Sequence, residues 1–476
     1  MNKLLFILFF TTNLIFCQSH GKSEQRFILS GGIAHIGDGT IIENSTIIIE
    51  NGKIIAIGDS DLVIINKDRG LFYDITGKHV YPSFILPNST LGLVEIDAVR
   101  ATRDEREVGD LNPNVRSQIA YNTESVVSST VRTNGILLAQ ITPRGGLIGG
   151  MSSIMKLDGW NWEDATYLKD DGIHLYWPEK HDFRHHGHSH VFTSSDEIEH
   201  VEENDEIQQS IKELDDLFTK SVNYSKLKQL EQDLRLQSLV ELTKGEKKLY
   251  IHVNGVNGIK ESVYFAKKHN INDIVLVGAS ESWRITDFIL EHNISIILGR
   301  IHSLPNFPED DIDQPFKTPK ILADAGILFC LDYSGDMPRM GARNLPFLAG
   351  TAAAYGLDKE EALKLITYNT AKILGIDNIT GTLETGKDAN LFVSNGDALD
   401  MITNDVEIIF LMGKVLKVEN HQTKLYEKFS NKFNLKKYTP KIINMLNKLI
   451  LQKKRLSSYL LLTGRITLDF QAIIIF

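Results

Sequence analysis

Between residues 80 and 374 the chain alternates short apolar runs with segments of helical spacing. This alternation constrains the fold more than any other feature of its 476 residues. Strand-type runs lie at 80–86, 135–142, 152–157, 248–253, 273–278, 294–299 and 327–332. Helical spacing marks 115–132, 205–245, 257–269, 282–292, 317–325, 343–356 and 358–374. Strands that alternate with helices form a parallel sheet with crossover helices, either a barrel or an open sheet. Seven visible strands fit an eight-stranded barrel with one strand unseen. The helix from Asp358 is signalled most clearly, by that cap, by Glu361 three residues on and by Gly375 as its stop.

Two β-rich fragments flank this region. "ILSGGIAHIGDGTIIENSTIIIENGKIIAIG" alternates β-branched runs with turn residues, and Asn51-Gly52 between "STIIIE" and "KIIAIG" predicts a tight hairpin. The second fragment runs through "GTLETGKDANLFVSNGD" and "IIFLMGKVLKVEN". The expectation is therefore an α/β chain: a (β/α)8 TIM-type barrel over 81–379, plus a small composite β-sandwich domain from 27–80 and 380–420.

The ends and one insertion differ from the rest. "MNK" followed by "LLFILFFTTNLIFC" reads as a signal peptide over residues 1–17, too short and interrupted for a membrane span. A periplasmic or secreted protein follows, with no membrane span in its mature form. A lipoprotein is the lesser reading, because bulky Phe16 precedes Cys17. The other cysteine, Cys330, sits in an apolar strand and reads as a buried thiol. Residues 158–204 read as a polar insertion containing His181, His185, His186, His188 and His190, a mobile loop with weak affinity for zinc, copper or nickel. Residues 437–476 form a basic and apolar tail in which Asp469 is the only acid. The net charge of −10 offers no basic surface for nucleic acid. No P-loop, dinucleotide fingerprint or serine nucleophile elbow is present.

Four stretches carry a family resemblance: "GGIAHIGDGTIIENSTIIIENGKIIAIG", "GKHVYPSFI", "IHVNGVNGIKESVYFAKKHNI" and "LITYNTAKILGIDNITGTLETGKDANLFV". Together they resemble the amidohydrolase superfamily, and within it exported proteins similar to imidazolonepropionase. The resemblance covers roughly residues 27–420, and the last stretch is its most specific part. It implies a barrel with one or two divalent metals at the C-terminal strand ends, zinc foremost. A metal-bound hydroxide attacks a carbon–nitrogen bond while an aspartate after the last strand moves the proton.

The ligand positions depart from that pattern. Where the family has His-x-His after the first barrel strand, this chain has Asn88 and Thr90. Residues i and i+2 of a strand share a face, but an amide and a hydroxyl are poor zinc ligands beside imidazole or carboxylate. The resemblance assigns His252 in "YIHVNG" to metal. It places the next ligand at Val277 or Gly278, which cannot bind one, with Glu281 following within reach of the mouth or serving as a helix-terminal carboxylate. Gapless counting puts the catalytic aspartate at Ser334, between Asp332 and Asp336, and in an extended strand all three share a face. His302 in "GRIHSLP" also follows a strand, and Arg144 in "ITPRGGLIGG" could hold a carboxylate or oxyanion. The catalytic candidates are thus Asp332, Asp336 and His302; the substrate-binding candidates are Asn88, Thr90, Arg144 and Glu281.

Two readings follow. In the first, the chain hydrolyses a carbon–nitrogen bond of a small amide or peptide-like substrate with a divalent metal. In the second, it is a metal-free barrel kept for binding or as a scaffold, since a fold does not guarantee its chemistry. A homo-oligomer is compatible with both.

Overall fold

The computed structural model describes residues 25–64, 70–179, 196–226, 232–334 and 338–433. The leader at 1–17, the five clustered histidines, Asp336 and the tail from 437 lie outside the described residues. The chain divides into one compact unit to Asn420 and a second from His421, of which the helix His421–Lys432 is described.

The first sheet is composite. Its strands are β1 (Phe27–His35), β2 (Ile41–Glu50), β3 (Lys53–Asp59), β4 (Leu71–Asp74) and β5 (His79–Pro82), joined much later by β14 (Leu391–Ser394), β15 (Val406–Leu411) and β16 (Lys414–Leu416). The order is β16-β15-β14-β5-β1-β2-β3, with β4 also beside β1. Asn51 (φ 51°) and Gly52 (φ 82°) both take the left-handed conformation, as a two-residue hairpin between right-twisted strands requires. The rings of Phe27 and Phe410 meet edge to face at 5.2 Å although two strands separate β1 from β15. Strands lie about 4.8 Å apart, so this contact shows that the sheet coils over its own core of Phe27, Leu29, Ile47, Ile49, Leu391 and Phe410.

The chain changes sheets at Ser83. The Ser83 N–H donates to Asn390 O in the composite sheet, and the Phe84 N–H donates to Gly135 O at the barrel. The single run 80–86 is therefore two strands, β5 and β6 (Phe84–Ser89). The barrel continues with β7 (Ile136–Ile141), β8 (Ile148–Lys156), β9 (Thr166–Tyr176), β10 (Lys248–Val253), β11 (Ile274–Gly278), β12 (Ser295–Leu298) and β13 (Phe329–Leu331). All neighbours are parallel except around β8, which runs antiparallel to β7 and β9. The unseen strand is β9, which lies inside the stretch read as an insertion.

The barrel is nearly closed. β6 and β13 do not pair; the chain between two helices fills the seam. The expected helix over 358–374 breaks into Lys359–Lys364 and Tyr368–Leu374, with Thr367 at φ −129°, ψ −96°. The carbonyls released at the break serve the seam: Leu331 N–H donates to Leu365 O at 3.1 Å, and Ile85 N–H to Ile366 O at 2.9 Å. Asp358 caps the first of these helices through the Glu360 and Glu361 N–H groups, and Gly375 (φ 77°) ends the second. Cys330 is buried in β13, where burial pushes its thiol well above the usual range. Among the described residues, no helix is long and apolar enough to cross a membrane.

Because Phe410 joins distant strands of the composite sheet, Phe410→Ala is expected to cost about 3–5 kcal/mol. Urea unfolding followed by far-UV dichroism and tryptophan fluorescence should show both signals moving together to a lower midpoint. A split into two transitions would contradict a composite sheet and barrel that unfold as one unit.

Candidate active site

The site begins where β6 ends. Between Leu86↔Ala139 and Ser89↔Ile141 the β6 strand carries one extra residue, a bulge, and Asn88 within it has φ 49°. Asparagine accepts this left-handed conformation more readily than most residues. The expected extended i, i+2 pair of Asn88 and Thr90 is therefore absent. Asn88 is turned by the bulge, and the Thr90 carbonyl accepts from the Leu93 and Val94 N–H groups to open a turn. The two side chains do not form one ligand pair.

Asn88 instead spans the mouth. Its Nδ2 donates to Asp332 Oδ2 at 2.7 Å, and its Oδ1 accepts from Arg144 Nη1 at 2.5 Å. Arg144 Nη2 donates to the Asn88 carbonyl at 2.7 Å, while Nη1 lies 3.3 Å from the Tyr176 hydroxyl. That hydroxyl donates to Pro143 O at 2.8 Å, and the Tyr176 ring stacks on His252 at 4.1 Å. Asn88, Arg144, Asp332 and His252 are thus brought together at the C-terminal ends of β6, β7, β13 and β10, the end where barrel sites lie. Asp332 is 1% exposed, and its Oδ1 has no hydrogen-bond partner. Burial raises its carboxyl to about 6, against the pull of Asn88, of Arg144 and of the nearby Ser334 and Tyr333 groups.

A second polar layer lies below. The Asn88 N–H donates to Gln140 Oε1 at 3.0 Å. Gln140 Nε2 reaches Asp171 Oδ2 at 2.8 Å and Ser152 Oγ at 3.2 Å. Ser152 donates to Asp171 Oδ1, the Tyr250 hydroxyl donates to Asp171 Oδ2, and His174 bridges Ser152 and His252. Asp171 comes inward through a second bulge: between Ser152↔Gly172 and Ile154↔Leu168, β9 has two extra residues, with Asp170 at φ 51°. Asp171 keeps some exposed surface, but its carboxylate lies among these donors, and burial there raises it above its ordinary range. Burial also pushes His174 and His252 well below the usual imidazole value, aided by Arg144 and, for His252, by His174.

The segment after β6 crosses this end of the barrel. Arg144 N–H donates to Glu105 O, Ile148 N–H to Asp110 O and Met151 N–H to Val115 O. Gly145 and Gly146 in the β7–β8 turn allow the approach, since a Cβ there would meet the Arg106 side chain and the Asp110 backbone within 2.7 Å. A cleft of about 710 Å³ opens beside this strap, lined by Glu107, Asn112, Gln232 and Arg235 among others. It includes none of the buried network, so it is not the chemical centre.

Other expected site residues lie elsewhere. His302 Nε2 bonds Thr351 Oγ1 at 2.7 Å on the helix Leu345–Ala354, and its ring meets the Phe316 ring edge to face at 6.0 Å. Its partners come from the surrounding helices rather than the barrel interior. Glu281 Oε2 accepts from the Val256 N–H at 3.0 Å, at the start of the helix Val256–Lys268, and its other oxygen lies 3.5 Å from Arg284. It serves a helix terminus rather than the mouth. Asp336 is outside the described residues. Sequence reasoning missed Gln140, Ser152, Asp171, His174, Tyr176 and Tyr250. One signal was present: "GIHLYW" places a histidine in an apolar run much as "YIHVNG" does.

The donor set does not fit a divalent metal. Among the described residues no three His, Cys, Asp or Glu side chains cluster as ligands. The Asn88 amide is bonded at both ends, the two imidazoles bond each other, and Arg144 brings a fixed positive charge into the mouth. Among the described residues, His252 is not joined by the further ligands that a metal would need.

Residues 236–420 match the amidohydrolase family. No curated protein matches the chain in sequence. Among solved structures, an amidohydrolase from Thermotoga maritima superposes with a TM-score of 0.70 at 22% identity, over 82% of this chain and 99% of that one. A Xaa-Pro dipeptidase with methionine bound in its active site gives a TM-score of 0.50 at 13% identity, over 83% of this chain and 100% of the other. A prolidase complexed with N-methylphosphonate-L-proline gives 0.50 at 14% identity with the same coverage. These likenesses establish the barrel fold.

The raised Asp332 carboxyl makes a signed prediction. The folded state holds this proton more tightly than the unfolded chain, so the Asp332 contribution to stability falls as pH rises from about 4 to about 6. Asp332→Asn removes that dependence. From pH 4 to pH 7 the stability of the variant relative to the parent should improve by up to about 3 kcal/mol, measured by urea melts at each pH. A difference that does not change with pH would refute the raised value.

Proposed function

We propose that this chain, whose residues 236–420 carry the amidohydrolase family match and whose barrel has that fold, is a hydrolase of carbon–nitrogen bonds. The substrate class is a small amide, cyclic amide or peptide-like molecule. The branch similar to imidazolonepropionase rests on the sequence motifs. The observation that carries the reading is Asp332, a buried carboxylate at the barrel mouth with one oxygen unpartnered and a proton affinity shifted towards neutrality. A general base works best with a pKa near the working pH, and such shifts cluster at functional sites.

In this reading Asp332 takes the proton from an attacking water and returns it to the leaving nitrogen. Asn88 holds the carboxylate through Oδ2, leaving Oδ1 for the water. Arg144 supplies positive charge beside the developing oxyanion, a role electrostatics can fill when water is excluded. His252, stacked on Tyr176, lines the same mouth. The family chemistry uses a metal, but this donor set does not suit one. The second reading, a binding barrel without turnover, is favoured by the Arg144 bonds to Asn88, which occupy groups that catalysis would otherwise use. Export rests on the leader at residues 1–17 and is checked by the N-terminal mass of the mature protein.

The deciding experiment uses untagged mature protein, a panel of amides and elemental analysis. Hydrolysis that survives chelation and falls at least about 100-fold in Asp332→Asn is the expected result. Stoichiometric metal that disappears in His252→Ala would overturn the metal-independent mechanism. Absence of turnover on every amide would favour the binding reading.

A further inference from the structure

Hydrogen-bond polarity along the buried layer can be worked out from one group that only donates. The Asn88 backbone N–H points at Gln140 Oε1, so the amide orientation of Gln140 is fixed and its Nε2 is the donor to Asp171 and Ser152. The Tyr250 hydroxyl gives Asp171 Oδ2 a second donor at 2.8 Å. Two donors on one oxygen favour the carboxylate anion, which leaves Ser152 to give its single proton to Oδ1 at 2.8 Å. The Ser152 oxygen then accepts from His174 Nε2, also at 2.8 Å. A neutral His174 protonated at Nε2 has a lone pair at Nδ1, which accepts from His252 Nε2 at 2.9 Å. His252 Nδ1 is left bare, and it has no hydrogen-bond partner among the described residues. With Asp171 as the anion and the Gln140 amide fixed, the donors and acceptors from Asp171 to His252 run in one direction.

We propose that Asp171, Ser152 and His174 are positioning residues that hold His252 as its Nε2–H tautomer, leaving Nδ1 as a hydrogen-bond acceptor for substrate. The opposite arrangement, with a protonated Asp171 driving the chain in reverse, would make His252 Nδ1 a donor. The consequence rests on the hydrolase reading: an acceptor in the mouth suits an amide that keeps an N–H. Primary, secondary and cyclic N–H amides are then favoured over Xaa-Pro bonds, whose nitrogen carries no hydrogen.

The test labels the full mature chain with 15N-histidine and reads tautomers from long-range 1H–15N correlations. Loss of signals in His174→Gln and His252→Gln assigns the two rings among the 15 histidines. Both rings are expected in the Nε2–H pattern in the parent protein. Ser152→Ala should convert a substantial fraction of His252 to Nδ1–H, while Ser152→Thr restores the parent pattern. If Ser152→Ala does not fold, Tyr250→Phe, which removes one donor from Asp171, should shift the same signal to a smaller extent. Nδ1–H at His252 in the parent, or unchanged tautomers in folded Ser152→Ala, would overturn the proposal. On an amide that the parent hydrolyses, Ser152→Ala should lower kcat by about tenfold with KM nearly unchanged. The Nε2–H pattern without turnover on any amide would defeat the hydrolase reading and leave the tautomer lock standing. Turnover accompanied by Nδ1–H would defeat the lock alone.

Discussion

The hydrogen bond from Asn88 Nδ2 to Asp332 Oδ2 joins the first and last strands of a barrel whose sheet does not close there. Among the described residues, the Leu365 and Ile366 carbonyls carry the backbone hydrogen bonds at this seam. The functional end therefore depends on two coupled features, a helix broken at Thr367 and an asparagine in a left-handed bulge. Each is a local departure from regular structure, and each supplies a polar group to the seam. A regular helix over 358–374 would satisfy its own carbonyls internally. An extended Asn88 would present its amide on a different heading.

From Asn88 the polar groups run in two directions. Its side chain reaches Asp332 and Arg144 at the mouth, while its backbone N–H orients Gln140 and through it the Asp171 layer below. Buried polar groups are costly unless paired, and this network pairs nearly all of its members. Asp332 Oδ1 and His252 Nδ1 are the exceptions among the described residues. An unpartnered oxygen on a carboxylate 1% exposed costs stability, and its retention in the candidate site is a physical argument that the group is kept for chemistry.

Much of the architecture was legible because it follows from periodicity. The β–α alternation, the Asn51-Gly52 hairpin and the Asp358 cap are local signals, and the structure contains each. The candidate site was legible at or just beyond the ends of strands that the apolar runs mark. Asn88, Arg144, His252 and Asp332 were found, but β9 was not, because "TYLKDDGIHLY" interrupts its apolar pattern with Lys169, Asp170 and Asp171. Those residues occupy a bulge, where alternation stops predicting which face a side chain takes. His302 and Glu281 were placed at the mouth by their position after a strand. Their actual partners, Thr351 and the Val256 N–H, belong to helices that strand counting does not locate.

Arg144 explains why the mouth departs from the metal-binding pattern as a whole rather than at one residue. Its charge bears on Asp332, His252, His174 and Tyr176 alike: it adds to the burial that lowers the two histidines and opposes the burial that raises Asp332 and Tyr176. A divalent ion within about 5 Å of a guanidinium would meet a repulsion on the order of several kcal/mol at an effective dielectric near 20. Neutral ligands such as the Asn88 amide do little to offset that, whereas paired histidines and a free carboxylate would do more. Restoring one ligand would therefore not restore a metal site while the guanidinium stays. With the cation built into the chain, positive charge remains next to Asp332 without a metal, but it is fixed in place, singly charged and already bonded to Asn88. That geometry can stabilise an anion that arrives or forms beside it. It does not supply a metal hydroxide, and in the proposed hydrolysis the attacking water loses its proton to Asp332.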